Sequence, residues 1–167
     1  IRHAIERLPQ GHPARPGWLN NLGNVLLESG AAHEAAAAYR VSLEQAPDAA
    51  PTWTNLSTLL RRLGRLDEAT DAARRAVHAA PDDAEARYAL ARALIESGDI
   101  QAGLQAHSEA VTRAPRASVP RDQVLRALVL LGRREEAAAL YREWLAAEPG
   151  NPVALHSSPH GAGREYS

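Results

Sequence analysis

Trp18-Leu19-Asn20-Asn21-Leu22-Gly23-Asn24-Val25-Leu26, followed by Gly30, Ala35, Tyr39 and Pro47, is the stretch on which the rest of the chain is built. Its framework returns every 34 residues: Gly30 falls on Gly64, Gly98 and Gly132, and Pro47 on Pro81, Pro115 and Pro149. Leu22 falls on Leu56, Leu90 and Val124, and Leu26 on Leu60, Leu94 and Leu128. Ala35 falls on Ala69, Gly103 and Ala137. A fixed period of this length marks a repeat array, in which one unit cannot bury its apolar face without its neighbours.

Four units are read at about 16–49, 50–83, 84–117 and 118–151. Each carries two stretches of helical periodicity separated at the recurring Gly. The spacing predicts helices over 17–29 and 32–45, 50–63 and 66–79, 84–97 and 100–113, then 119–131 and 134–147. The break is too short for anything but an antiparallel hairpin. Gly at each break suits a left-handed position just past a helix end, where a side chain would clash. The recurring Pro stops each second helix. Asp48, Asp82 or Asp83, and Asn151 stand where the next helix wants a cap. Gly23, Ser57 and Ala91 on the first helices, with Ala35, Ala69 and Gly103 on the second, let the two approach closely.

Ile1, Ala4, Ile5 and Leu8 share one helical face that Pro9 ends, so 1–9 reads as the second helix of a preceding, partial repeat. On that reading the chain is a fragment. Residues 152–167 are rich in Gly, Ser and Pro with no apolar period, and read as a linker or disordered tail.

Composition narrows the function classes. The 167 residues are 45% hydrophobic but contain no Phe, Met or Cys. Ala makes up roughly a fifth of the chain, which favours helices in close contact. Every basic residue is Arg, and the formal charge of −1 leaves no electrostatic footprint for nucleic acid or an anionic membrane. No apolar run is long enough to cross a bilayer. Without Cys there is no disulfide, thiol catalysis or thiolate metal site. The seven His are scattered; only His156 and His160 have a ligand-like spacing, and Pro159 and Gly161 surround them in the tail. Asp67-Glu68 and Glu135-Glu136 lie in first turns, where they meet the helix dipole. No nucleophile elbow, phosphate loop or zinc-binding motif occurs. The reading is therefore of a non-enzyme with no cofactor and no metal. Abundant Ala and Arg without Lys suggests a GC-rich bacterial genome. A cytoplasmic location is expected, with a periplasmic one left open.

Leu22-Gly23-x2-Leu26-x3-Gly30-x4-Ala35-x3-Tyr39-x2-Ser42-x4-Pro47 resembles the tetratricopeptide repeat, and the later units follow the same spacing. Departures occur at Ala73 and His107, which replace Tyr39 and Tyr141, and at Leu125 and Trp144, where the family has small residues. The resemblance implies an all-α, right-handed superhelical α-α solenoid of about four helical hairpins plus the partial repeat. It also implies a concave groove lined by the first helices. That lining is Asn20, Asn21, Asn24, Leu27 and Glu28; then Thr54, Asn55, Thr58, Arg61 and Arg62. Tyr88, Arg92, Ile95 and Glu96 follow, and then Asp122, Gln123, Arg126 and Val129.

Asn21 and Asn55 both precede the Leu that opens the motif, so stacking is expected to put them in line, continuing only as Gln123 because Ala89 intervenes. Such a ladder is similar to that of O-linked N-acetylglucosamine transferase repeats, whose amides hold the backbone of an extended peptide. Asn20, Asn24 and Asn55 also partly resemble a carboxylate clamp, without its Lys residues. Arg62, Arg92 and Arg126 could meet an acidic segment, with Tyr88 as an apolar platform. The alternative for all of them is an ordinary solvated inner face. The implied function is a scaffold that binds a protein segment or extended peptide. Two other readings stand beside it: a targeting module of a larger bacterial glycosyltransferase or methyltransferase, and a self-association module joined through the array ends.

Overall fold

The computed structural model describes residues 11–113 and 121–147. Among the described residues there are helices and no strands: α1 Arg15–Glu28, α2 Ala32–Gln45, α3 Ala50–Arg62, α4 Leu66–Ala79, α5 Ala84–Ser97, α6 Ile100–Arg113, α7 Arg121–Leu130 and α8 Arg134–Ala147. The expected all-α architecture of helical hairpins is what the described residues form. The chain divides into two compact units, 1–119 and 120–167. In the first, α1 pairs with α2, α3 with α4 and α5 with α6. Successive hairpins then stack, α2 on α3 and α4 on α5, while the first helices α1, α3 and α5 also meet in sequence. In the second unit α7 pairs with α8. The proposed partial repeat and tail lie outside the described residues.

The turns follow from one residue type. Gly30, Gly64, Gly98 and Gly132 have φ of 83°, 73°, 98° and 73°, which a side chain would strain. Each closes the same pair of bonds: Gly30 N donates to Leu27 O and Ala31 N to Leu26 O, and the pattern repeats at Gly64, Gly98 and Gly132. This Schellman arrangement satisfies carbonyls that the helix leaves unpaired. It also takes the last residue of the predicted first helices, which end at Glu28, Arg62 and Leu130.

Capping differs from expectation at one site. Asp83 Oδ1 accepts from Glu85 N at 3.0 Å, so Asp83 rather than Asp82 caps α5. Asp48 does not cap α3: the N-cap is Ala49, with no side-chain bond. Pro51 in that first turn already removes one donor that a cap would have served. Asn151 lies outside the described residues.

Small residues set the depth of each hairpin. A Cβ on Gly23 would lie 2.3–2.8 Å from the Tyr39 ring, which is fully buried there. A Cβ on Gly103 would lie 2.5 Å from Ile95 Cγ1 and 3.0 Å from Ala91 O. Between them, Ser57 Oγ donates to Ala69 O at 2.8 Å, tying α3 to α4. The core of the first unit is continuous from Tyr39 and Leu43 through Leu56, Leu59 and Leu60 to Ala93. In the second unit Val124, Leu128, Ala137 and Tyr141 are buried, and Leu125 joins them at 8% exposure.

One brace recurs with changed chemistry. Trp53 on α3 donates from Nε1 to Pro47 O at 2.7 Å, and the Arg75 guanidinium of α4 lies 5.1 Å from its ring centroid. One repeat later Arg87 donates to Pro81 O at 2.9 and 2.6 Å and pairs with Glu109 at 2.6 Å. Trp53 and Arg87 occupy equivalent positions, as do Arg75 and Glu109. A cation–π contact in one hairpin is thus an ion pair in the next.

Candidate functional site

The first helices of the first unit bring most of the expected inner-wall residues together. Asn55 Nδ2 on α3 donates to Asn20 Oδ1 on α1 at 2.9 Å. Further along, Arg61 on α3 donates to both oxygens of Glu96 on α5, at 2.8 and 3.1 Å. Both contacts join residues 35 apart, one more than the sequence period. Neighbouring first helices therefore meet one residue out of repeat register. That offset brings Asn55 to Asn20 instead of Asn21, and Asn21 stands exposed.

Asn24 is held from within its own hairpin: Tyr39 Oη on α2 donates to Asn24 Oδ1 at 2.7 Å. Burial pushes the Tyr39 phenol up to about 12, with Arg62 lowering it and Glu28 raising it. Those two charges therefore act on the Tyr39 hydroxyl. Arg62 and Glu28 are both exposed, and neither forms an ion pair with a described residue. Thr58 is half-buried on α3.

Arg92 has a side chain 19% exposed and lies 3.5 Å from the Glu96 carboxylate that Arg61 holds. Burial lowers its pKa first and the Arg61 charge second, against Tyr88 and Glu96, which raise it. Glu96 is thus shared by two guanidinium groups, and the pair Arg61–Glu96 links α3 to α5.

Three expected lining residues are turned inward. Tyr88 is 6% exposed and meets His107 edge-on, with ring centroids 6.4 Å apart at 62°, so it offers no open platform. His107 stands where Tyr39 stands two repeats earlier, and it is this ring that Tyr88 meets. Thr54 and Ile95 are buried as well. Arg126 is exposed on α7 in the second unit, and the Gln123 side chain lies outside the described residues. Sequence reasoning missed Tyr39 and Arg61 as supports of this wall. Their partners depend on the 35-residue offset and on the hairpin interior, neither of which the 34-residue period reveals.

Away from the inner wall, two cavities of about 540 and 550 Å³ adjoin Trp53 and share Pro47, Trp53, Asp71 and Arg75 as walls. No described helix is long and apolar enough to cross a membrane.

Comparison with known proteins agrees with this architecture. A tetratricopeptide repeat family model matches residues 2–50 and 54–118. No curated protein matches by sequence. Among solved structures, a crystal structure of MamA superposes with a TM-score of 0.68 at 18% identity, covering 93% of this chain and 85% of that one. A second MamA crystal structure gives 0.66 at 20% identity, covering 87% and 80%. At these identities the likeness concerns the fold.

Proposed function

The chain belongs to the tetratricopeptide repeat family, and from that premise we propose that it is an interaction scaffold whose α1–α3–α5 wall holds an extended peptide of a partner protein. The observation that carries the reading is the Asn55–Asn20 bond, which spans two repeats and leaves polar amide atoms fixed on the inner wall. Asn55 keeps its carbonyl oxygen and one N–H, so it can meet the N–H and C=O of a peptide unit. Asn21, exposed and next to Asn20 in the chain, adds a further amide. An extended backbone has the matching alternation of donors and acceptors, and secondary structure satisfies none of them before binding.

The test begins with a random 12-residue peptide library selected on the purified chain. A recovered peptide should bind with a dissociation constant of roughly micromolar, about −8 kcal/mol. The double variant Asn20→Ala/Asn55→Ala, measured by calorimetric titration, should weaken it about tenfold or more, since two hydrogen-bonding positions are lost. Unaltered affinity with an unchanged circular dichroism spectrum would remove this wall from the reading.

A further inference from the structure

Away from the inner wall, the second helices of the first unit leave a groove. α2 and α4 make no contact with each other, while α3 packs against both and floors the space between them. The two cavities of about 540 and 550 Å³ lie in this groove, with Leu43, Leu56 and Leu60 at the base of the larger. Pro47, exposed, and Trp53, half-buried, supply apolar surface to both. The Arg75 guanidinium stacks on the Trp53 ring, and its N–H groups meet no acceptor among the described residues. In the equivalent brace one repeat later the cation is engaged, with Arg87 donating to Pro81 O and to Glu109. The larger cavity therefore has an uneven set of charges. Arg40 and Arg75 line it without an ion pair to a described residue, and Glu44 is the one such carboxylate. The other two carboxylates on its walls are taken, Glu68 by Arg65 and Asp71 by Arg74.

We propose that this groove is a second docking surface, filled by an amphipathic helix of a partner protein that lays apolar side chains on Pro47 and Trp53 and a carboxylate on Arg75. The surface is separate from the inner wall and goes beyond the peptide reading above. Two helices that do not touch, with a third beneath them, make a seat for a further helix, whose apolar stripe then meets the floor. The excess of uncommitted guanidinium over carboxylate selects an acidic occupant. Arg40 stands one turn from Glu44 on α2, whose charge offsets it, so the carboxylate is received at Arg75. Stacking on an aromatic face holds a guanidinium plane while its edge keeps N–H donors in the fork that a carboxylate matches. Less side-chain freedom is then lost on binding.

The experiment selects a helix-biased peptide library of about four turns on the chain carrying Asn20→Ala/Asn55→Ala, so that the inner wall is disabled. Recovered peptides are then titrated against the native chain. They should carry an Asp or Glu beside apolar residues at helical spacing. Arg75→Glu should weaken such a peptide about tenfold or more, and exchanging its acidic residue for Arg should do the same on the native chain. Joining the two exchanges should bring the affinity back to within about threefold, because opposite charges meet again. Glu109→Gln, in the neighbouring brace, should leave the affinity unchanged. A merely structural part for Arg75 would weaken every peptide and allow no recovery by the paired exchange, and that result overturns the proposal. Peptides without an acidic position, or indifferent to Arg75→Glu, overturn it as well. Octanoate bound in the groove with no helix recovered would also overturn it, and would assign the surface to a small amphipathic anion. None of these outcomes bears on the inner wall, whose own test uses Asn20 and Asn55.

Discussion

Tyr39 concentrates the most physics in one side chain. Its ring fills the space that Gly23 leaves, and its hydroxyl donates to Asn24 Oδ1 on the neighbouring helix. The phenol's pKa of about 12 lies above the unfolded value of 10, so its contribution to stability is intact below pH 10. It is lost as pH rises from 10 toward 12. In an ultraviolet titration a late tyrosine step near 12 is expected, and that step should vanish in Tyr39→Phe. A full complement titrating near 10 in the folded chain would contradict the burial assigned to it. Gly23→Ala tests the same contact from the other side. Its methyl group meets ring atoms at 2.3–2.8 Å that are walled in, so overpacking should cost about 1–3 kcal/mol, read as a lower Tm. Combining it with Tyr39→Leu should recover part of that loss, because the two changes share one volume. Additive losses in the double variant would place the strain elsewhere.

Hairpins built on one plan show which features a sequence announces. The four turns were legible because a positive φ has one inexpensive occupant, and Gly30, Gly64, Gly98 and Gly132 all adopt it. The close crossings at Gly23, Ser57 and Gly103 were legible for a similar reason, since volume alone dictates them. Side-chain partners were not. Asn21 shares its repeat position with Asn55, yet Asn20 makes the contact, because helix rotation shifts neighbours to an offset of 35. Tyr88 looked like a platform and is buried, its ring meeting His107 of the next helix, a contact that the repeat period does not reveal. The brace is a further case: Trp53–Arg75 and Arg87–Glu109 do one job by different forces. Salt separates them. Glu109→Gln should destabilise by up to about 1 kcal/mol at low ionic strength and less in concentrated salt, as screening removes the partly exposed ion pair. Trp53→Leu loses an indole bond to Pro47 O, apolar contact and the ring face beneath Arg75, so its cost should change less with salt than that of Glu109→Gln. Thermal melts of both variants at two ionic strengths decide the matter, and equal salt dependence would show that the braces are not what they look like.

Across the first unit, stability should be graded and not uniform, because each repeat draws on its neighbours. α3 packs against α1, α2, α4 and α5, whereas α1 meets only α2 and α3 among the described helices. Local opening of a helix exposes what its neighbours cover, so the free energy of opening should be highest in α3 and lower in α1. Native-state hydrogen exchange reads this directly: the slowest amides of residues 11–113 should fall in α3, with those of α1 exchanging sooner. Peptide binding then has a distinct signature. An occupant gripped by Asn20, Asn24 and Asn55 joins α1 to α3, and its binding energy is added to every opening that breaks that grip. Protection should therefore rise most in α1, the less stable of the two helices, and least in α6, which none of these residues belongs to. At a ligand concentration one hundred times the dissociation constant the increase should approach about 2.7 kcal/mol for α1 amides that open only with the site. Protection gained instead in α2 and α4, around Trp53 and Arg75, would move the partner from the inner wall to the cavities beside that brace.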